Sequence, residues 1–343
     1  MNKKIKAAIL GCTGYTGLEL VNILKNHPNV ILSFLGSQNY AGHNINTFDK
    51  RLKNVSMPKL NLLDNVNFSE VDVVFFALPH NVSQNIIKDN FEKSIFIDLS
   101  ADFRLDDPKN YKNNYNTKHQ CPSLLNKFVY GLPEINFNAI QSSKNVAVPG
   151  CYPTSILLPL IPLLKEDLIL SNNIIIDSKS GYSGAGSKFN LQNLIQEKGL
   201  NFYNYNTNYH RHICEIYQEL KKCTKSEIKF SFNPHILPIF RGMMSTIYCE
   251  LEKGIKKKDI IKIYMSQYSK NTFIKILNDN EKADFYSVSN TNYCLIKLFD
   301  HYDDDRVIIV SLIDNLLKGA SGQAVQCMNL IFGMNEHTGL IEI

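Results

Sequence analysis

The stretch that most limits what this chain can fold into is Gly11-Cys12-Thr13-Gly14-Tyr15-Thr16-Gly17, because of what flanks it. Ile5 to Leu10 before it is a short apolar, strand-like run. Leu18 to Lys25 after it carries apolar residues at helical spacing, and Val30 to Leu35 is a second strand-like run. Strand, glycine turn, helix and strand in that order bring backbone amides and a helix N-terminus against a pyrophosphate. We therefore expect an N-terminal Rossmann-like dinucleotide-binding domain, with Gly11, Thr13, Gly14, Tyr15, Thr16 and Gly17 at the cofactor. The second strand ends in Ser37-Gln38-Asn39-Tyr40-Ala41-Gly42, without the Asp or Glu that would hold a ribose 2′-hydroxyl. Ser37 and its neighbours leave a 2′-phosphate unopposed, so NADP(H) is expected rather than NAD.

Further apolar runs at Val71–Leu78 and Ser94–Asp98 continue the strand and helix alternation, which predicts a mainly parallel α/β sheet. Its carboxyl edge would carry Gly11, Leu78, Ser100 and Cys151. Asp107 to Leu125 is polar, contains Pro108 and Pro122, and reads as an irregular excursion. Beyond residue 150 the pattern changes. Strands are expected at 173–178, 227–232, 244–251, 293–298 and 306–312, and helices near 187–197, 211–221 and 257–269. Uneven spacing of this kind predicts an α+β substrate and dimerisation domain with a mixed sheet. A Gly-Ala turn at Gly319-Ala320 leads into a last helix that returns to the first domain. The expected division is 1–149 plus 313–343 for the NADP-binding domain and 150–312 for the catalytic domain.

Between the two lies Val148-Pro149-Gly150-Cys151-Tyr152-Pro153-Thr154, running into the apolar helix pattern 155–164. Cys151 thus stands at a helix N-terminus, where the helix dipole stabilises a thiolate and lowers the thiol below its usual ~8.5. The alternative at this point is a small buried hydrophobe. His210-Arg211-His212, with Glu215 one helical turn on, offers a proton-transfer group beside a carboxylate that orients it. The chain has 343 residues and a formal charge of +5 spread without a basic stripe, so nucleic-acid binding has little support. No run is long enough to span a bilayer and no signal peptide precedes the first strand. The eight cysteines lack CxxC spacing, which speaks against disulfides and against a metal site. A cytoplasmic protein with reduced thiols is expected.

Taken together, the quoted stretches resemble the N-acetyl-γ-glutamyl-phosphate reductase family. The resemblance also takes in Asp98-Leu-Ser-Ala-Asp-Phe-Arg104, Tyr130-Gly-Leu-Pro-Glu134, Ser180-Gly-Tyr-Ser-Gly-Ala-Gly186, Pro234-His235 through Pro238 to Arg241-Gly242, and Asp314-Asn315-Leu-Leu-Lys-Gly-Ala320. They run from end to end of the chain in the family's order. Cys12, His43 and Cys214 depart from it, standing where a small residue, a basic residue and a proline are usual. The resemblance implies NADPH-dependent reduction of N-acetyl-γ-glutamyl phosphate to N-acetylglutamate 5-semialdehyde in arginine biosynthesis, through a thioester on Cys151. It implies His212 with Glu215 as the proton-transfer pair and His210 at the substrate. Such a substrate carries a carboxylate and an acyl phosphate, which planar guanidinium groups bind well, so Arg104, Arg211 and Arg241 are the candidates. Ser180 to Gly186, too glycine-rich for a regular strand, would form a loop that brings Ser183 and Gly184 beside the nicotinamide, Asn315 would bond its carboxamide, and the protein would be a homodimer or homotetramer. Two other readings stand beside this one: an aspartate-semialdehyde dehydrogenase, with similar architecture and cysteine chemistry, and a non-catalytic NADPH-binding regulator.

Overall fold

The computed structural model describes residues 4–187, 189–197, 199–303 and 305–341. The chain forms two compact units, Met1–Pro149 with Ala320–Ile343, and Gly150–Gly319.

In the first unit seven strands form one sheet: β1 (Ile5–Leu10), β2 (Val30–Gly36), β3 (Leu60–Asn61), β4 (Val73–Phe76), β5 (Ile95–Asp98), β6 (Val129–Tyr130) and β7 (Asn145–Ala147). Their spatial order is β3-β2-β1-β4-β5-β7-β6 and every neighbouring pair is parallel. A parallel sheet needs cover on both faces, and the sequence supplies it by near-continuous apolar strands. Ala7, Ile9, Val73 and Phe75 join one buried cluster, whereas Ala8, Leu10, Val74 and Phe76 join another. Helices α1 (Tyr15–Leu24), α2 (Ser83–Asn90), α3 (Pro108–Tyr115) and α4 (Pro133–Gln141) belong to this unit. So does the last helix, α8 (Gly322–Ile331), which lies against α1 and α4.

Residues 108–115 are helical, contrary to the expected irregular excursion. The Asp107 carboxylate accepts the Lys109 N–H and Pro108 occupies the first turn. These are start signals that a polar helix with one buried residue, Tyr111, does not advertise by hydrophobic period.

The second unit is built on a mixed sheet of β8 (Ile174–Gly181), β11 (Tyr203–Asn204), β12 (Phe230–Leu237), β13 (Met243–Glu250), β14 (Ile274–Leu277), β15 (Cys294–Asp300) and β16 (Arg306–Ile313). The spatial order is β11-β12-β8-β13-β16-β15-β14. One face is packed against α5 (Cys151–Lys165), which is buried along nearly its whole length, with α6 (His212–Lys221) and α7 (Lys257–Tyr268) beside α5. Two prolines inside α5 remove amide donors. Pro162 leaves the Leu158 carbonyl without its helical partner, and the Tyr268 hydroxyl from α7 donates to that carbonyl. Tyr264 likewise donates to Pro159 O, 2.8 Å away.

Three further expectations are corrected here. The region 187–197 is not a helix; it holds a 3₁₀ turn at Leu191–Asn193 and a small hairpin of β9 (Ile195–Gln196) and β10 (Gly199–Leu200). Lys188 falls outside the described residues. Ser180 and Gly181 are strand residues at the end of β8, and only Tyr182–Ala185 curls into a 3₁₀ turn. The second crossing between units falls at Gly319–Ala320 rather than at 313. The reason is that Asp314 and Asn315 are bonded to Arg241 and Gly242 of the second unit, and the chain leaves it only through a π-helical turn, Leu317–Ser321.

Candidate active site

In the first unit the glycine loop follows β1 and opens α1. Gly11 has φ +85°, and a Cβ there would lie 2.2 Å from Ala77 O. Only glycine serves at such a position, where the loop rests on the segment after β4. Gly14, the N-cap of α1, offers no side-chain cap, and a Cβ on it would meet nothing nearer than Gly11 O at 3.7 Å. Gly14 is therefore not required by packing within the protein. It leaves a cradle beside the first-turn amides that suits a pyrophosphate. At the end of β2, Ser37 is buried and its hydroxyl lies 3.0 Å from the Thr13 hydroxyl. Thr13 and Ser37 thus stand together at the end of β2, with no carboxylate in Ser37–Gly42. The residues fit NADP. Tyr15, Thr16 and Gly17 form the first turn of α1, and Ser321 donates to Thr16 O at 2.8 Å, so the returning C-terminal helix is tied to that turn. Cys12 has its Sγ 3.2 Å from Gly36 O, and burial pushes its thiol up to about 12, which makes it inert.

The second unit gathers the proposed catalytic residues. Cys151 is the first residue of α5, with Gly150 as an N-cap that lacks a side chain. The His212 ring lies over Gly150: a Cβ at that glycine would meet His212 Nε2 at 2.5 Å. Glu215, buried one turn along α6, accepts the Gly150 N–H through Oε1 at 2.9 Å. Its visible task is thus to fix the loop carrying Cys151, beside the orienting role expected of it. Gly319 packs from the other side, its absent Cβ being only 2.8 Å from Cys151 Cβ.

His210 accepts the His212 N–H at Nδ1, 3.1 Å away. It is enclosed by Tyr152, Tyr205, Phe232 and the His212 ring, with centroid separations of 4.7–5.6 Å. Burial, aided by the neighbouring Arg211 charge, lowers it to about 4. His210 is therefore neutral at physiological pH, with its proton on Nε2 since Nδ1 accepts. It cannot serve as the imidazolium that gives up a proton. The Tyr152 and Tyr205 hydroxyls lie 3.1 Å apart. Neither tyrosine was singled out from sequence; Tyr205 lies in a run of Asn and Tyr that has no period or motif.

Ser183, Gly184 and Asn315 also come together. Asn315 Nδ2 donates to Ser183 Oγ at 2.8 Å, its Oδ1 accepts the Gly242 N–H at 2.7 Å, and a Cβ on Gly184 would lie 3.5 Å from Asn315 Nδ2. The Asp314–Gly319 turn, closed by Gly319 N–H to Asp314 O at 2.9 Å, links this cluster to Cys151.

Of the arginines, Arg241 pairs with buried Asp314 at 3.1 Å and Arg211 is exposed at the start of α6. Arg104, in the first unit, is buried and donates from Nε to Val148 O at 2.7 Å and from Nη2 to Leu99 O at 2.8 Å. Arg104 and Arg241 thus both brace the protein itself. Among the described residues no group of three or more His, Cys, Asp or Glu side chains is placed to hold a metal, and all eight cysteines are free thiols.

The profile of the semialdehyde dehydrogenase NAD binding domain matches residues 6–143, and that of the semialdehyde dehydrogenase dimerisation domain matches residues 151–315. The chain is 45% identical over 338 residues to N-acetyl-gamma-glutamyl-phosphate reductase of Alkaliphilus metalliredigens, with 98% of each chain covered. The chain belongs to the N-acetyl-γ-glutamyl-phosphate reductase family. A probable chloroplastic reductase of this name from Oryza sativa is 41% identical, over 98% of this chain and 81% of that one. Solved structures extend the likeness in fold alone. The reductase chain superposes on aspartate semialdehyde dehydrogenase II complexed with ASA from Vibrio cholerae with TM-score 0.75 at 17% identity, covering 97% and 99% of the two chains. For aspartate semialdehyde dehydrogenase with NADP from Candida albicans the TM-score is 0.67 at 16% identity, over 96% and 99%. Members of this family are oxidoreductases, and the glycine loop described above is the part of the reductase chain suited to NADP.

The buried histidines of this reductase carry a pH prediction. His27, His119 and His210 are all lowered from 6.5, in each case chiefly by burial. A group that binds its proton less readily when folded stabilises the fold above its unfolded value and loses that contribution as pH falls. Thermal unfolding followed by circular dichroism should therefore show Tm constant near pH 7 and falling from about pH 6.5 toward pH 4. A Tm unchanged across that window would contradict the buried, neutral state of these rings.

Proposed function

We infer that this chain reduces N-acetyl-γ-glutamyl phosphate to N-acetylglutamate 5-semialdehyde, releasing phosphate, as the NADPH-dependent reductase of arginine biosynthesis. One observation carries the chemistry: Cys151 begins a 15-residue helix while His212 lies over the adjoining Gly150 and Glu215 holds that residue's amide. The helix N-terminus favours the thiolate, which attacks the acyl carbonyl; the C–O bond to phosphate breaks and a thioester on Cys151 remains. NADPH, when bound, supplies the hydride that reduces this thioester. His212 gives a proton to the alkoxide that develops on the Cys151-bound carbon. It takes that proton back as the C–S bond breaks, freeing the aldehyde and restoring the thiolate. Arg211 and Arg241 are the second unit's candidate cations for the substrate's carboxylate and phosphate. His210 lends a neutral Nε2–H donor, and Ser183, Gly184 and Asn315 form the loop for the nicotinamide.

The test is NADP-dependent oxidation of N-acetylglutamate semialdehyde, with and without inorganic phosphate, beside the same assay with aspartate semialdehyde. Phosphate-dependent NADPH formation from the acetylated substrate is expected. Preference for aspartate semialdehyde would favour the enzymes named in the structural neighbours, and absence of turnover with both would favour a regulator.

The second unit also suggests how copies assemble. The sheet face away from α5 presents Ile175, Tyr248, Ile308 and Phe299 in register across β8, β13, β16 and β15. Ile175, Tyr248 and Phe299 are 47%, 38% and 39% exposed. An apolar row of this kind in a domain of the dimerisation family is best covered by a second copy. Tyr248→Asp, which buries a charge in such an interface, should weaken the dimer at least about 30-fold, or about 2 kcal/mol. Analytical ultracentrifugation reads this; an undisturbed dimer would move the interface elsewhere. Free thiols throughout suit a reducing compartment, so we assign the protein to the cytoplasm.

A further inference from the structure

Two carboxylates of the first unit, Asp98 and Asp102, are fully buried and take no part in the chemistry above. Asp98 ends β5. It accepts the Ser100 N–H at 3.1 Å and the Ser100 hydroxyl at 2.8 Å, and Ser100 Oγ in turn accepts the Asp102 N–H at 3.1 Å. The Asp102 carboxylate reaches out of its own loop. Its Oδ1 accepts the Asn81 N–H at 2.8 Å and the Tyr111 hydroxyl at 2.7 Å, and its Oδ2 accepts the Gln84 N–H at 3.1 Å. Gln84 is the second residue of α2, whose N-cap, Val82, has no side chain able to cap. The Asp102 carboxylate thus caps the N-terminus of α2 in place of an N-cap side chain, supplied from the next crossover of the sheet.

The capped segment is the one on which the glycine loop rests. Ala77 N–H donates to Leu10 O at 2.8 Å, and Gly11 approaches Ala77 O and Leu78 Cδ2 so closely that a Cβ would lie 2.2 and 3.0 Å from them. Four residues on, Asn81 takes φ +70°, the left-handed conformation that asparagine adopts more readily than most residues and that its contacts select here. What holds it is Asp102, together with Tyr111, whose hydroxyl also lies 2.6 Å from Asn81 Oδ1 and accepts from Gln84 Nε2 at 3.1 Å. Gln84 Oε1 completes the set by accepting the Gln120 N–H at 2.6 Å. Every member is bonded to at least one other, so the carboxylate, the two amides and the hydroxyl hold one another in place.

We propose that Asp102 is a positioning residue for cofactor binding: by capping α2 and pinning Asn81 it fixes the Ala77–Leu78 floor beneath the dinucleotide loop. It touches neither cofactor nor substrate. The proposal rests on the reading of Gly11–Gly17 as the NADPH loop.

The two carboxylates separate the proposal from a general effect of burying charge. Asp102→Asn keeps the volume but turns one acceptor into a donor, which then faces the N–H of Gln84 or of Asn81. Asp98→Asn keeps an acceptor for Ser100 and leaves the α2 cap intact. NADPH dissociation constants of the full-length protein, read by fluorescence without substrate, are expected to rise at least tenfold for Asp102→Asn and by less than about twofold for Asp98→Asn, following the cost of an unpaired buried donor. Tyr111→Phe, which removes one of three donors and preserves the ring, should fall between them and covers the case in which Asp102→Asn fails to fold. The rate of Cys151 alkylation, in the other unit, should be the same in all variants, which a global loss of structure would not allow. Equal NADPH affinity in wild type, Tyr111→Phe and Asp102→Asn overturns the proposal. So does a parallel loss in Asp98→Asn. Failure of the wild type itself to bind NADPH would instead overturn the reading of the glycine loop.

Discussion

Cys151→Ala protein folds, binds NADPH with unchanged affinity and loses turnover by at least about 10⁴-fold, the scale on which removal of a covalent nucleophile is felt. The folding half of this expectation follows from the surroundings of Cys151. It is partly buried at the first position of α5, and its backbone is fixed by the Glu215 bond to Gly150 and by the close packing of Gly319. None of these contacts needs the sulfur. The kinetic half follows from the chemistry, since Cys151 alone among the cysteines begins a helix. Cys12 and Cys249 are buried and pushed up to about 12, and Cys121 is raised to about 11, so each remains protonated at neutral pH. Cys151→Ser should be nearly as inactive, because an alcohol at the same helix terminus does not ionise. The measurement is steady-state kcat with N-acetylglutamate semialdehyde and phosphate, alongside NADPH titration. Activity within tenfold of wild type in Cys151→Ala would return this residue to a packing role.

His212→Asn gives the second large effect, a loss of roughly 10²–10⁴ in kcat with little change in NADPH affinity, which is the range general acid–base catalysis supplies. The geometry separates His212 from its neighbour. His212 has its ring edge against Gly150, one residue from the nucleophile, whereas His210 is held neutral inside an aromatic enclosure with Nδ1 engaged by the His212 amide. His212→Asn should therefore act on kcat. His210→Asn, whose Oδ1 can replace Nδ1 as acceptor, should keep most of kcat and act more on KM. If kcat were lost with His210 and kept without His212, the two assignments would have to be exchanged.

Much of this was legible in the sequence where local chemistry and tertiary environment agree. The glycine loop lies between a strand and a helix, and the apolar runs at Val71–Leu78 and Ser94–Asp98 read as buried strands of a mainly parallel sheet. The helix at 212–221 and the Cys151 helix were likewise plain, since apolar spacing, a helix start and a chemical motif coincided. Where they failed to coincide, the reading went wrong. Leu191, Leu194 and Ile195 sit at helical spacing, yet they fall in a 3₁₀ turn, its C-cap and a short strand, and only Leu194 is buried while Leu191 and Ile195 are 40% and 52% exposed, so the spacing does not mark a continuous buried face. Pro108–Tyr115 erred in the opposite direction: a helix with a single buried residue has too little apolar surface to show a period. The site itself was legible as residue types but not as contacts. That Glu215 bonds the Gly150 amide, that Gly319 packs on Cys151, and that Asp102 caps a helix in another crossover depend on long-range approach, which no single window of sequence contains. The arginines illustrate the same limit, for the charge on Arg104 and Arg241 was evident while their commitment to Val148 O and Asp314 was not.

The central claim is that substrate is held covalently on Cys151, and intact-protein mass spectrometry tests it directly. Wild-type protein given NADP and N-acetylglutamate semialdehyde without phosphate should form the thioester and stop, because the group that would release the acyl chain is missing. A burst of NADPH near one per active site is expected. After an acid quench the protein should carry one N-acetylglutamyl group, which peptide mapping places on Cys151 and which added phosphate discharges before the quench. An acyl group mapped to any other cysteine, or phosphate-dependent turnover with no adduct and no burst, would contradict the account.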